Sequence, residues 1–431
     1  MLEQIINKIQ AVFSNQTLKK KLIFTLGIIA ATRLLAHIPV PIVDVGRLKL
    51  LFASSQFLSF LNIFTGGNLA QLSIIAVGIN PYITASIIMQ LLGMVVPKIK
   101  EMQKEGEAGQ AQLNQYMRLI AVPVAAIQAV ATIALLNSQG LIINQSPTMM
   151  TVVVLTLIAG SMLMMWFGEL ISEYGLGNGI SIILLAGIVS QLPASIGQLL
   201  FASDGSQLTE IIVSLVMILL VTALTVFFNE AVRKVNIKYA RRVQGGRQVG
   251  GQTSHLPVKV NVSGVMPIIF AVSLMMIPSF VARLLMTTSK VGLVSFGEKL
   301  AVIFATNSIW YLLSYFVLVF VFSFFSAIIF FNAEDISEEL KKSGAFIPGV
   351  RPGGPTRKYL EFVVTRITFA GALFLALIAI LPNLAQLITN IQSLAIGGTS
   401  VLIVVSVILE TAKQVDSQLL SENYDRYSTL K

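Results

Sequence analysis

Long apolar runs separated by short polar stretches extend through the chain from about residue 22 to residue 413. A membrane-spanning helix needs about 20 predominantly apolar residues. The runs that meet this measure are residues 22–40, 71–96, 117–137, 149–169, 179–200, 209–229, 262–286, 305–331, 363–383 and 396–413. The pattern therefore predicts an all-α polytopic membrane protein with ten transmembrane helices. An even number of spans places both termini on the same side of the membrane.

Composition supports this class of protein. Of the 431 residues, 55% are hydrophobic and only 12% are charged, whereas soluble domains carry about 25% charged residues. Three lysines, Lys19 to Lys21, directly precede the first run, which we expect to be kept as a span rather than cleaved as a signal peptide. The absence of cysteine excludes disulfides and Cys-ligated metals, and the two histidines, His37 and His255, are too few for a multi-His site.

The positive charges are distributed unequally between alternate loops. With ten spans, 24 of the 30 Lys and Arg residues fall on the side of the N-terminus and 5 on the other side. Cytoplasmic loops carry an excess of Lys and Arg. The distribution therefore predicts that both termini are cytoplasmic, and it supports the span count, because one missed span would destroy the alternation.

Two pairs of short segments indicate an internal repeat. Residues 78–83 (GINPYI) and 264–269 (GVMPII) share the pattern Gly-apolar-x-Pro-x-Ile and open spans two and seven. Residues 179–184 and 398–403 both read Gly-x-Ser followed by three aliphatic residues and open spans five and ten. The repeat predicts two halves of five spans, 1–202 and 203–431. Because five is odd, the second half is inverted relative to the first.

The segment 57–69 is apolar and aromatic but too short to be an eleventh span. Apolar segments of this length are re-entrant or interfacial, and non-spanning backbone at membrane depth must be packed in protein or line a cavity. The sequence leaves both possibilities open: a re-entrant helix and an external interfacial helix.

Ionisable side chains are scarce in the spans, which argues against ion-coupled transport. Arg33 and His37 lie near the ends of span one, where snorkelling to the surface is the simplest interpretation. Glu169 and Glu173 lie at the predicted cytoplasmic end of span four and are interpreted as loop carboxylates. An intramembrane protease would need a base near Gly-x-Ser, and none is found; HExxH and P-loop motifs are also absent. A secondary transporter on an inverted repeat is the alternative, but the sequence shows no polar binding cluster for one.

The residues at the repeat axis are aliphatic. The fifth residue after each motif glycine is Ile83, Ile269, Leu184 or Ile403, and Ile79 and Ile180 lie one turn before two of them. Ordinary core packing would explain any one of these residues. Four equivalent positions brought together by pseudo-symmetry favour a hydrophobic constriction that blocks water and ions.

Two loops on the predicted cytoplasmic side are longer than the topology needs. Residues 230–261 alternate in polarity and turn at Gly245-Gly246, which predicts a β-hairpin-like projection. Residues 333–361 contain Pro and Gly that break a long helix and expose Arg351 on a turn. These loops could serve as positive-inside anchors or dock an acidic or RNA-containing partner.

The longest motifs closely resemble those of the SecY/Sec61-alpha family, whose bacterial members are channel subunits of the Sec protein translocon. They are residues 78–87 (GINPYITASI), 177–181 (GNGIS), 341–352 (KKSGAFIPGVRP) and 397–400 (GGTS). The resemblance covers essentially the whole chain and implies ten helices in two inverted halves, arranged as a clamshell around a pore.

The resemblance also implies roles for individual residues. The pore ring would be Ile79, Ile83, Ile180, Leu184, Ile269 and Ile403. The plug would be residues 57–69, with Phe57, Phe60, Leu61, Phe64, Gly66 and Gly67. The lateral gate between spans two and seven would include Pro81, Ile87, Gln90, Pro267 and Met275. The docking loops would present Arg241, Arg242, Arg247, Arg351, Lys341 and Lys342.

By resemblance, the chain would be a passive channel in the bacterial plasma membrane and not an enzyme, with no cofactor. It would pass unfolded preproteins with signal sequences across the membrane and release apolar segments sideways into membrane lipid. The implied partners are the SecE and SecG membrane subunits, the SecA ATPase and the ribosome. Because the sequence contains no nucleotide-binding motif, an external motor would have to drive export.

Overall fold

A computed structural model describes residues 14–40, 46, 48, 62, 65–138, 140–142, 146–201, 208–239, 242–244, 247–249, 253–262, 264–286, 288, 290–305, 308–389 and 392–428. The helices are α1 (Gln16–Ala36), α2 (Asn80–Val95), α3 (Pro97–Lys104), α4 (Glu107–Ser138), α5 (Pro147–Tyr174), α6 (Gly179–Phe201), α7 (Leu208–Glu230), α8 (Met266–Met286), α9 (Val291–Ile303), α10 (Ile309–Phe330), α11 (Ala333–Lys342), α12 (Gly354–Thr389) and α13 (Gln392–Ser428). The strands are β1 (Val232–Tyr239), β2 (Arg242–Gln244), β3 (Arg247–Val249), β4 (Thr253–Lys259) and β5 (Ala345–Phe346).

Each of the ten predicted spans contains a helix, and α3, α9 and α11 are additional short helices. Within the described residues, five helical segments are long and apolar enough to cross a membrane: Ala108–Asn137, Pro147–Tyr174, Ile212–Glu230, Ile309–Ala327 and Gly354–Leu387. A sixth would be the bent pair formed by α2 and α3, whose axes differ by 109°. Shorter apolar helices lie at Gly179–Gln191 and Met266–Ser279. The fold is therefore that of a mostly helical, multi-pass membrane protein.

The start of span two differs from the prediction. Residues 71–79 form turns rather than helix, and α2 begins at Asn80. The backbone there includes positive φ angles at Leu72 (38°) and Gly78 (64°), which a right-handed helix cannot contain. Pro81 then occupies the first turn of α2, where its missing N–H leaves no hydrogen bond unmade.

The two predicted halves share four corresponding pairs of helix neighbours. In the N-terminal half, α2 contacts α4, α4 contacts α5, α5 contacts α6, and α1 contacts α5. In the C-terminal half, the corresponding helices α8 and α10, α10 and α12, α12 and α13, and α7 and α12 are also in contact. The halves meet where α2 and α4 touch α8 and where α6 touches α13. The helices that carry the repeated motifs therefore line the seam between the halves.

A small antiparallel sheet joins the two long loops. β1 pairs with β4 along its length, as the alternating sequence predicted, and β2 pairs with β3 in a short hairpin. β5, from the second loop, pairs with the end of β1, so that Lys238 lies opposite Phe346. Val235, Ile237 and Val258 form an apolar cluster with residues of α11 and α12. Because of this cluster, the two loops form one packed module.

Candidate functional site: the seam between the halves

The two Gly-Pro segments have matching backbone conformations. Gly78 has φ +64° and Gly264 has φ +62°, a region that glycine enters without steric cost. The amide of Ile83 donates to the carbonyl of Ile79 at 3.2 Å, and the amide of Ile269 donates to that of Val265 at 3.3 Å. Each motif thus builds the same turn and starts a helix at the same distance from its glycine.

A side chain from outside each motif hydrogen-bonds its glycine. The Ser161 hydroxyl of α5 donates to the Gly78 carbonyl at 2.9 Å, and the Asn261 amide donates to the Gly264 carbonyl at 3.0 Å. These bonds satisfy carbonyls next to an apolar seam, where an unpaired polar group would be costly. Ser161 and Asn261 therefore fix the starts of α2 and α8.

The second pair of motifs matches less closely. Gly179 begins α6, and the Asn178 carboxamide oxygen caps it by accepting from the amides of Ile180 (3.1 Å) and Ser181 (3.3 Å). The helix α13 instead begins at Gln392, so Gly398 lies inside it rather than at its start. No capping Asn precedes Gly398; a glycine, Gly397, stands there. The sequence match predicted the helix but placed its first residue six positions too late.

The six candidate ring residues belong to one apolar cluster. Ile83, Leu184, Ile269 and Ile403 are 3%, 6%, 2% and 1% exposed, and Ile79 is equally buried, whereas Ile180 is half-buried against the same cluster. They come from the starts of α2, α6 and α8 and from the middle of α13. The structure thus brings together aliphatic side chains from all four motif helices.

Gly168 of α5 marks the point where two of these side chains converge. A Cβ atom at this position would lie 3.3 Å from Cδ1 of Ile79 and 3.6 Å from Cγ1 of Ile180. The missing side chain at Gly168 therefore lets the two isoleucines pack against the α5 backbone. Such contacts are weak and non-directional, which suits a seal that has to open rather than a site that binds one ligand.

The candidate gate residues lie on α2 and α8, which contact each other. Pro81, Ile87, Pro267 and Met275 are buried, and Gln90 is half-buried. A cavity beside them is lined by polar side chains from α2, α4 and α8, which the sequence reasoning missed: Asn80, Thr84, Gln128, Thr132 and Ser273. The spacing of Gln128 and Thr132, one turn apart within an apolar run, was the available signal for this polar seam.

Of the candidate plug residues, Phe57, Phe60, Leu61 and Phe64 lie outside the described residues. Gly66 and Gly67 are described, with φ +73° and +84°, and follow the turn in which the Gly67 amide donates to the Asn62 carbonyl at 2.7 Å. A Cβ atom on Gly66 would lie 2.8 Å from Cα of Gly187 in α6. Only glycine permits this approach, so the end of segment 57–69 packs directly on the α6 backbone.

The charged residues near the spans have partners. Arg33 donates to the Gly66 carbonyl and to the Ser190 hydroxyl, so the snorkelling expected from its position is not what the structure shows. Its orientation depends on the Gly66 turn, which the linear sequence does not reveal. Glu169 accepts two hydrogen bonds from Arg118 at 3.0 and 2.7 Å, and this ion pair ties α4 to α5.

Comparison with known proteins decides the family. The SecY family model matches residues 73–412. The chain belongs to the SecY family. A curated SecY relative, protein translocase subunit SecY of Mycobacterium bovis, is 39% identical over 446 residues, which cover 99% of this chain and 100% of the relative.

Two solved structures share the SecY fold with this chain. One is described as showing that the plug domain of the SecY protein stabilises the closed state of the translocation channel and maintains a membrane seal; it has a TM-score of 0.66 at 19% identity, over 95% of this chain and 94% of the other. The other is Sec61 in the canine ribosome–channel complex, with a TM-score of 0.61 at 19% identity over the same shares.

The candidate docking residues of this SecY-family chain lie on the joined loops. Lys341, Lys342 and Arg351 are exposed. The backbones of Arg242 and Arg247 lie in the hairpin of β2 and β3, and Arg241 lies outside the described residues. The pairing of β5 with β1 joins the two loops into one surface. The sequence predicted each loop separately, but it gave no signal for this pairing because β5 is only two residues long.

Proposed function

We propose that the pore runs along the seam between the two halves and that the aliphatic ring closes it. As a SecY-family member, the chain is the protein-conducting channel subunit of a translocase and not an enzyme. The chief support is the convergence of Ile79, Ile83 and Ile269 with their equivalents in one apolar cluster drawn from four motif helices. The described arrangement corresponds to a closed channel, because five of the six ring residues are almost fully buried and Ile180 is half-buried.

The chemistry of the ring suits a substrate of any sequence. An unfolded chain presents every kind of side chain, so a pore with specific polar sites would bind some segments too tightly. Aliphatic side chains make weak contacts with all of them, and a narrow apolar constriction excludes water when no chain fills it. The same ring can therefore block ions at rest and close around a passing polypeptide.

The contact between α2 and α8 would be the lateral gate. If these helices part, a chain in the pore meets lipid. An apolar segment then partitions into the bilayer with about −0.3 to −0.6 kcal/mol for each central Leu, Ile, Phe or Val. The polar lining from Thr84, Gln128 and Ser273 would lower the free-energy cost of hydrating the open gate, compared with a purely aliphatic seam.

The proposed topology has ten spans in two inverted halves, 1–202 and 203–431, in the bacterial plasma membrane with both termini cytoplasmic. The unequal distribution of Lys and Arg supports the orientation. The matched helix neighbours of the two halves support the repeat. Residues 57–69 would form the plug, which the close packing of Gly66 on Gly187 would anchor at one end.

The partners are also proposed. SecE and SecG would complete the membrane complex, and SecA or the ribosome would dock on the module formed by the two loops and drive transport. The exposed Lys341, Lys342 and Arg351 suit an acidic or RNA-containing surface. The ribosome–channel complex of canine Sec61 supports a ribosome as one such partner.

Reconstitution tests this function. The chain would be placed in liposomes with its small membrane partners, and a signal-bearing preprotein and the ATPase motor would be added outside. We expect the preprotein to become protease-protected only when ATP is present, with empty liposomes and a preprotein lacking its signal as controls. Protection that does not depend on this chain would refute the proposal.

A further inference from the structure

Arg33 lies in the last turn of α1 with its side chain half-buried. A charged side chain in a membrane span is costly and needs polar partners. In the part of the chain that the structure describes, no carboxylate forms an ion pair with Arg33, and its Nε is buried without a hydrogen bond. The hydrogen bonds that it does make are to neutral groups. A surface ion pair therefore does not explain why this charged side chain is retained in the span.

Those hydrogen bonds connect three separate segments. Nη1 of Arg33 donates to the Gly66 carbonyl at 3.1 Å and to the Ser190 hydroxyl at 2.8 Å. The Ser190 hydroxyl in turn donates to the Gly187 carbonyl at 2.7 Å. Gly66 and Gly187 are the residues at which the end of the plug segment crosses α6. Arg33 therefore bonds to both sides of that crossing.

The crossing lies on the helix that carries two ring residues. Gly187 and Ser190 are three and six residues beyond Leu184 on α6, which corresponds to about 4.5 and 9 Å along a helix. Gly66 and Ser190 lie on opposite sides of the crossing, so a movement of the plug segment away from α6 would break at least one of the two hydrogen bonds of Arg33 close to the ring. The geometry thus couples the plug segment to the seal.

We propose that Arg33 is a positioning residue that latches the end of the plug segment onto α6 and so holds the channel closed until a substrate enters. This inference rests on the proposed function, and it assigns to the latch the two acceptors that the structure shows, the Gly66 carbonyl and the Ser190 hydroxyl. Opening then requires that the guanidinium lose at least one of these partners. Water or a passing chain would have to replace the lost hydrogen bond.

The first test measures the signal requirement of export. We expect Arg33→Gln to raise export of a preprotein with a defective signal at least tenfold. Arg33→Lys, which keeps the charge on a shorter side chain, would have an intermediate effect, and Ser190→Ala a smaller one. Arg118→Gln is the matched control, because it removes another helix-borne arginine, which in the described part of the chain is paired with Glu169. Equal effects of Arg33→Gln and Arg118→Gln would overturn the latch.

A second test measures the contact between the plug end and α6 directly, without any transport. A Cβ atom on Gly67 would overlap the side-chain amide of Gln191, so cysteines at these two positions would be neighbours, and the chain has no other cysteine. We expect the Gly67→Cys/Gln191→Cys pair to oxidise several times faster with Arg33 than with Arg33→Gln. The strain of a side chain at φ +84° is the same in both backgrounds. Equal oxidation rates would refute the latch even if transport is normal.

Cross-linking also separates a latch from a merely structural role. In the Arg33→Gln background, the oxidised pair should block export of signal-bearing and signal-defective preproteins alike, because it fixes the plug end on α6. A reducing agent should restore the relaxed export of the variant in the same sample, which a misfolded variant would not do. If the parent chain exports nothing in any state, the proposed function fails, whereas the oxidation rates still decide whether Arg33 holds the plug end on α6.

Discussion

Substitution of Ile269 by Asn tests whether Ile269 lines the pore ring or belongs to the core that stays packed in every state. Ile269 and its neighbour Ile268 lie on α8, are 2% and 1% exposed, and belong to the same apolar cluster. Successive helix residues point about 100° apart, so the two side chains cannot face the same surface. If Ile269 lines the ring, its side chain is buried only while the channel is closed. Ile268 would remain packed in both states.

The expected size of the effect follows from burial. Removing a buried Ile side chain forfeits about 1.5–3 kcal/mol, and a buried amide without partners costs about 1–3 kcal/mol more. For Ile269→Asn this penalty falls on the closed state alone. A shift of about 3 kcal/mol changes the ratio of closed to open channels more than a hundredfold. For Ile268→Asn the same penalty falls on every folded state and lowers stability instead.

Two measurements distinguish these outcomes. Export of a preprotein with a defective signal should rise in Ile269→Asn while the amount of folded protein in the membrane stays near that of the parent. Ile268→Asn should reduce the amount of folded protein and leave the signal requirement unchanged. Ile269→Val, with a cost of about 0.5–1.5 kcal/mol, should give a weaker effect. If Ile269→Asn merely lowers protein level, as Ile268→Asn does, Ile269 is a core residue and the ring assignment is wrong.

Three further variants test other parts of the proposal. Arg351→Glu should cut ATP-driven export at least tenfold without changing the amount of chain in the membrane; unchanged export would exclude Arg351 from motor docking. Thr84→Val removes one polar group from the α2–α8 cavity at nearly constant volume. It should slow the insertion of weakly apolar segments into the membrane, and insertion at the parental rate would show that hydration of the gate does not depend on Thr84. Asn261→Ala leaves the Gly264 carbonyl and the Asn229 carboxamide without a donor and should lower the free energy of unfolding by about 1–3 kcal/mol, measured by thermal unfolding in detergent; no change would show that water replaces Asn261.

The sequence predicted the helices well because apolar run length is a local property. It also indicated β1, because the alternation at residues 235–239 is visible residue by residue, and it predicted a hairpin-like projection over residues 230–261. It could not place the start of α2, because the turns before Asn80 depend on how residues 65–79 pack against α5 and α6. The pairing of β5 with β1 was equally invisible, since two residues carry no periodic signal.

The candidate site shows the same division between local and tertiary information. Gly78 and Gly264 could be matched by inspection because their turns depend on neighbouring residues. The partners of Arg33 could not be predicted, because Gly66 lies 33 residues away and Ser190 lies 157 residues away. Sequence reasoning therefore identified the charge as unusual for a span but assigned it to the surface, whereas tertiary packing gives it two interior acceptors.

A network of polar side chains lies at the start of the candidate gate helix α8. The Asn261 amide donates to Asn229 at 2.7 Å as well as to Gly264, and the Asn229 amide donates to the Ser406 hydroxyl at 3.0 Å. This network joins the start of α8 to α7 and α13, whereas Ile269, only five residues beyond Gly264, packs in the apolar cluster. Directional bonds resist displacement more than dispersion contacts do. The start of α8 should therefore stay fixed while its later turns move away from α2, so that the gate opens by a swing about Gly264 rather than by a shift of the whole helix.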